Sequence, residues 1–113
     1  MIVLKDDSIE LDALHPALAL ALSGTVSPIL AKLGHDTTIT SGNEQTAWHG
    51  KTSLHYIGCA VDIRTHDPVT GELLYNAVVV VKAIKNALNC DFDVVLEDDH
   101  IHIEYQPKRR ASQ

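Results

Sequence analysis

The chain reads as an α+β domain: a small antiparallel β-sheet with helices packed on one face, leaving the other face for polar chemistry. Three observations carry that reading. Residues 59–65 and 100–105 alternate apolar and polar side chains with period two, as half-buried strands do. Between them, residues 68–89 place apolar side chains at helical spacing. Finally, 113 residues at 45% apolar, with one Trp, three Tyr and one Phe, suffice for one aliphatic core, so a single domain over residues 1–113 is expected.

The elements follow in order. Residues 2–4 and 9–11 are short apolar segments around Lys5-Asp6-Asp7-Ser8 and predict a small hairpin. Pro16 suits a first helical position, and Leu18, Leu22, Val26, Ile29, Leu30 and Leu33 recur at roughly helical spacing. Gly24 and Pro28 interrupt them, which predicts two short helices ending at Gly34. Thr37 to Thr40 is β-branched and predicts a strand, after which residues 41–54 are polar, contain Gly42 and Gly50, and have no period. A loop of that length in so small a domain is usually functional or disordered.

In the strand at 59–65, Cys59, Val61 and Ile63 point one way and Ala60, Asp62 and Arg64 the other. The helix at 68–89 gathers Leu73, Leu74, Ala77, Val78, Val81, Ile84 and Leu88 on one face, and this pattern outweighs the β propensity of residues 78–81. Residues 92–96 read as a strand and Glu97-Asp98-Asp99 as an acidic turn. In the last strand Ile101, Ile103 and Tyr105 face the core, with His100, His102 and Glu104 opposite.

Composition narrows the function. A net charge of −6 is the reverse of what a duplex-binding surface needs, so nucleic acid is not expected as a partner. The longest apolar stretch, residues 13–22, is broken by His15-Pro16 and falls well short of the about 20 residues that span a bilayer, so no membrane association is expected. The start, Met1-Ile2-Val3-Leu4 followed by Lys5-Asp6-Asp7, lacks the order of a secretory signal, and synthesis in the cytoplasm is expected. Cys59 and Cys90 form no Cys-x-x-Cys pair and read as two buried thiols in a reducing compartment. The basic end Lys108-Arg109-Arg110 reads as a frayed terminus. What stands out is histidine, seven of them in an acidic chain.

Two strands place metal-competent groups on their non-core faces: Asp62 on one, His100 and His102 on the other, with His55 at the mouth of the first. His, Asp and His make a three-ligand set of the kind catalytic zinc sites use, leaving a fourth position open for water. Structural zinc sites are closed by four ligands and richer in Cys, and no Cys pair is present here.

The same residues carry a family resemblance. Ser53-Leu54-His55-Tyr56-Ile57-Gly58-Cys59-Ala60-Val61-Asp62 is similar to the Ser-x-His-x-x-Gly-x-Ala-x-Asp signature of the zinc D-Ala-D-Ala carboxypeptidases and L-alanyl-D-glutamate endopeptidases. Asp99-His100-Ile101-His102 resembles their second motif, an acid three positions before a His ligand. Residues 53–62 also resemble the zinc-binding signalling domain of hedgehog proteins, which shares that fold. The resemblance spans residues 37–105. It implies that His55, Asp62 and His102 bind zinc, that Asp99 is the general base and that His100 stabilises the tetrahedral intermediate. His49, six residues before His55, falls where the hedgehog-like branch has a His beside the zinc, which implies a supporting or transition-state role.

One departure stands out: the family's Arg after the Thr-Ser-Gly strand end is missing. Here Thr40-Ser41-Gly42 is followed by Asn43-Glu44-Gln45, leaving Lys51, Arg64 or His49 to substitute. Glu104 reads as an exposed strand carboxylate in preference to a residue supporting the metal ligands, and His15, His35 and His66 as surface or capping residues. The expected activity is zinc-dependent hydrolysis of an amide bond in the peptide stem of peptidoglycan by a monomer similar to phage lysis enzymes, acting on the cell wall. The alternative is a zinc-containing binding module without turnover, as in the hedgehog domain.

Overall fold

The computed structural model describes residues 1–44, 55 and 58–107. Pro16 opens helix α1 (Pro16–Ala21), and the His15 ring caps it, its Nδ1 accepting from the Ala17 N–H at 3.0 Å. Leu18, Leu22, Val26 and Leu30 are all buried. Their four-residue spacing would drift by ~40° per step around an ideal α-helix. A π-helical turn at Leu22–Val26 takes up that drift before α2 (Ser27–Lys32) begins. Its cause is local: Pro28 lacks an N–H and crowds the carbonyl four residues back, and the Ser27 N–H bonds the Leu22 carbonyl instead. The two expected helices are thus one continuous helical run, closed by Gly34 at φ 79°.

Five strands form one sheet: β1 (Ile2–Leu4), β2 (Thr37–Ser41), β3 (Ala60–Arg64), β4 (Phe92–Leu96) and β5 (His100–Tyr105). Their order is β1-β2-β3-β5-β4, and β1 runs parallel to β2 while every other pair is antiparallel. The sheet is therefore mixed, which corrects the all-antiparallel expectation, and the hairpin of residues 2–4 with 9–11 does not form. The second half of that pair is used elsewhere. Ile9 is buried in the core, while the Glu10 carbonyl accepts from the Asn43 N–H at 2.7 Å and its N–H donates to Glu44 at 3.1 Å.

Helix α3 (Ala77–Ala87) starts nine residues later than the apolar pattern predicts. Asp67 accepts from the N–H groups of Val69 and Thr70, Gly71 takes φ 74°, and His66 bridges to Leu73, so residues 66–73 fold as a turn. Asn76 then caps the helix by accepting from the Val79 N–H. The core stripe is Ala77, Val80, Val81 and Ile84, at i, i+3, i+4 and i+7. Val78, expected in the stripe, is 54% exposed, whereas Val80 is 1% exposed.

The helices meet one face of the sheet, where Ile39, Val61, Ile63, Val94, Ile101 and Ile103 complete the core. Cys59 is half-buried and Cys90 exposed, which corrects the expectation of two buried thiols. Among the described residues, no helix is long and apolar enough to cross a membrane.

Candidate metal centre

The face of the sheet turned away from the helices is set by one register. In the β3–β5 pair Asp62 stands opposite His102, Arg64 opposite His100 and Ala60 opposite Glu104. Because side chains alternate along a strand, Asp62, His100, His102 and Glu104 all project to the non-core side. His55 reaches the same place from outside the sheet. Gly58, at φ 75°, donates its N–H to the His55 carbonyl at 3.0 Å and accepts from the His15 N–H at 2.8 Å. Its backbone packs against Ala13 so tightly that a Cβ would not fit.

His55, Asp62 and His102 form a group whose ligand atoms all lie within 4.8 Å of one another. His55 Nε2 is 3.5 Å and His102 Nδ1 2.7 Å from Asp62 Oδ1. On each ring the far nitrogen is bound to a group that can only accept. His55 Nδ1 meets the Gly42 carbonyl at 3.0 Å, and His102 Nε2 meets the Glu104 carboxylate at 2.8 Å. Each far nitrogen therefore carries a proton, and the two near nitrogens both face Asp62; that of His102 is hydrogen-bonded to it and gives up a proton before it can take a cation.

This donor set fits a divalent metal. Bonds of about 2.1 Å to a tetrahedral ion put neighbouring ligand atoms ~3.4 Å apart. The His55–Asp62 separation of 3.5 Å already matches. The His102–Asp62 pair at 2.7 Å is a hydrogen bond. It must open by ~0.7 Å, losing its shared proton, to admit an ion.

Burial works to raise the Asp62 carboxyl, but hydrogen bonds from His102 and His55, with the charge of His55 and His100 added, outweigh it and hold the group well below the usual carboxylate range. His102 is raised by its bond to Asp62, against the opposing effect of burial, with Glu104 adding to the rise. Two carboxylates thus hold one imidazole between them.

His100 and Asp99 lie at the rim. His100 Nε2 is 3.6 Å from Asp62 Oδ1, and its Nδ1 is 2.7 Å from Asp99 Oδ1. The Asp99 side chain is 82% exposed. Both residues line an open cleft of about 510 Å³ together with Asp62, Arg64, Lys5 and Ser41. Of the cations expected to replace the missing Arg, Arg64 is in this cleft. Lys51 lies outside the described residues, as do His49, residues 45–54 of the polar loop, and Lys108-Arg109-Arg110.

One acid, Glu44, escaped the reading of the sequence, and a second, Glu104, was read as the less favoured of its two alternatives. Glu44 is buried and accepts from the Ser41 hydroxyl at 2.8 Å, the Gly42 N–H at 2.9 Å and the Glu10 N–H at 3.1 Å. Burial pushes its carboxyl up, and these donors outweigh it, so its pKa is lowered. It fixes the Gly42 N–H, while the following peptide, whose carbonyl holds His55, is fixed by the Asn43 N–H on the Glu10 carbonyl at 2.7 Å. No local pattern marks such a residue, because one of its donors, the Glu10 N–H, lies 34 residues away. Glu104 is half-buried and bonded to His102, which corrects its reading as an exposed carboxylate. Its signal was present, since it shares a strand face with His102 two residues away. Of the other histidines, His15 caps α1 as expected, whereas His35 is half-buried against Tyr75 and His66, also half-buried, bonds the Thr65 hydroxyl at 2.8 Å and lines the same cleft. Compared with known proteins, the chain matches no family model and no curated relative.

Proposed function

We propose that the protein is a zinc peptidase of the D-Ala-D-Ala carboxypeptidase and L-alanyl-D-glutamate endopeptidase type, on the fold these share with the hedgehog signalling domain, and that it cleaves an amide bond in the peptide stem of peptidoglycan. One observation carries the reading. His55, Asp62 and His102 converge with the far nitrogen of each imidazole held by an acceptor, an arrangement that suits metal ligands. When bound there, zinc supplies Lewis acidity toward water and the scissile carbonyl.

The remaining work falls to the chain. Asp99 accepts the proton of the attacking water and returns it to the leaving amine. The ring of His100, held by Asp99, aims Nε2 at the mouth of the ligand group, where it donates to the developing oxyanion. His49 serves the same oxyanion. Arg64 and Lys5 line the cleft and supply positive charge for a substrate carboxylate where the family uses its Arg. The chain acts as a monomer on the cell wall.

A second reading, a zinc-holding binding module without turnover, is favoured by the placement of Asp99, whose carboxylate is largely exposed and engaged by His100. Digestion of defined peptidoglycan fragments by the zinc-loaded protein, with product masses read out, separates the two. The peptidase reading expects released peptide or D-alanine and a loss of about 10²–10⁴ in rate for Asp99→Ala. Bound zinc with no product selects the binding module.

A further inference from the structure

We infer that Glu104 is a positioning residue for the metal centre: its carboxylate fixes the His102 ring so that Nδ1, and not Nε2, is presented to the ion. The inference rests on the metal reading of the site. An imidazole can offer either nitrogen, and a half-turn about Cβ–Cγ carries Nε2 to the place of Cε1, beside the ligand group, and Nδ1 to the place of Cδ2, away from it. The Glu104 Oε1 bond to His102 Nε2 at 2.8 Å selects one orientation, because the turned ring would set Cδ2 and Cε1 where the two nitrogens now meet their carboxylates, and the Glu104 bond would be lost. His55 is held differently, by a backbone carbonyl, so a side-chain substitution can release one ligand ring and leave the other in place.

The sheet gives no other reason for an acid at this position. Glu104 stands opposite Ala60 on β3 and Asp93 on β4. A like charge directly across a strand pair is unfavourable, and Ala60 offers no polar partner. What compensates is the bond to His102.

The test is zinc affinity, measured by competition with a chromophoric chelator, for the wild-type chain, Glu104→Leu and Glu104→Gln. Leu keeps the bulk and cannot accept; Gln keeps an accepting oxygen without the charge. Loss of an orienting partner weakens metal binding by about 10–100-fold. That loss is expected for Glu104→Leu, with Glu104→Gln staying within a few-fold of wild type. The imidazole nitrogen shifts of zinc-loaded wild type and Glu104→Gln should show His102 bound through Nδ1 with a proton on Nε2. Affinity unchanged in Glu104→Leu overturns the inference, and so does a Gln variant as weak as the Leu variant. Should Glu104→Leu not fold, the Gln variant decides, since coordination of its His102 through Nε2 overturns the inference alone. A wild-type chain that takes up no zinc overturns the metal reading itself, a result distinct from all of these.

Discussion

Asp62 is the residue on which the site turns. Its Oδ1 faces three imidazoles, at 2.7 Å from His102, 3.5 Å from His55 and 3.6 Å from His100. It is the counter-charge that holds the His102 proton in place. Asp62→Asn removes that charge and is expected to abolish zinc uptake at micromolar metal, read by elemental analysis after dialysis; retained stoichiometric zinc would contradict it. Glu44 acts one step further out. Its two oxygens serve three donors, from Ser41, Gly42 and Glu10, and a carboxamide has only one accepting oxygen. Glu44→Gln should therefore lower unfolding stability by about 2 kcal/mol, measured by urea denaturation. An unchanged midpoint would mean that the turn carrying Gly42 holds without it.

At the scale of elements, His55 depends on a turn rather than on a strand. Gly58 adopts a left-handed backbone against Ala13 with no room for a side chain. Gly58→Ala is expected to destabilise the fold by about 2–3 kcal/mol and to weaken zinc binding as His55 shifts. Thermal unfolding and zinc competition together check this, and loss of stability with zinc affinity intact would detach His55 from that turn. In α3 the outcome distinguishes two adjacent patterns: Val80→Ala should cost about 2 kcal/mol, while Val78→Ala should stay within about 0.5 kcal/mol.

The strands that carry the site were legible because period-two alternation is a local signal, and it assigned Asp62, His100 and His102 to one face. The parallel pairing of β1 was not, since a three-residue strand carries no record of its partner's direction. The helix of residues 68–89 was overextended because Leu73 and Leu74 continue the apolar pattern, whereas the Asp67 turn and the Asn76 cap decide where the backbone becomes helical. The π-helical turn was foreshadowed by Gly24 and Pro28, which appeared as a break instead. Glu44 was out of reach for a different reason: its role exists only after β2, residue 10 and the turn have met.

For the whole molecule, the charges make opposing demands on pH. Asp62 and Glu44 are held below their ordinary values, so their contribution to stability is present above the unfolded values of 3.8 and 4.5 and is lost as pH falls through the folded ones. His102 is held above its ordinary 6.5, so its contribution is complete below that value and is lost as pH rises through the folded one. The metal-free chain should be most stable between these limits, and a thermal melt series over pH reads this directly. Zinc reverses the alkaline side, because entry of the ion displaces the His102 proton. The rise in melting temperature on adding zinc should grow from pH 6 to pH 8, reaching on the order of 10 °C at a hundredfold excess over Kd. A zinc effect independent of pH would exclude His102 as a ligand.

These scales meet in one quantity, the zinc content of the chain. The most direct measurement is elemental analysis of purified wild-type protein and of His55→Ala, Asp62→Asn and His102→Ala, each loaded with zinc and dialysed at pH 7.5. One zinc per wild-type chain, lost in all three variants while their folds are retained, is the predicted result. Wild-type protein that keeps substoichiometric zinc, or variants that keep as much as wild type, would contradict the account.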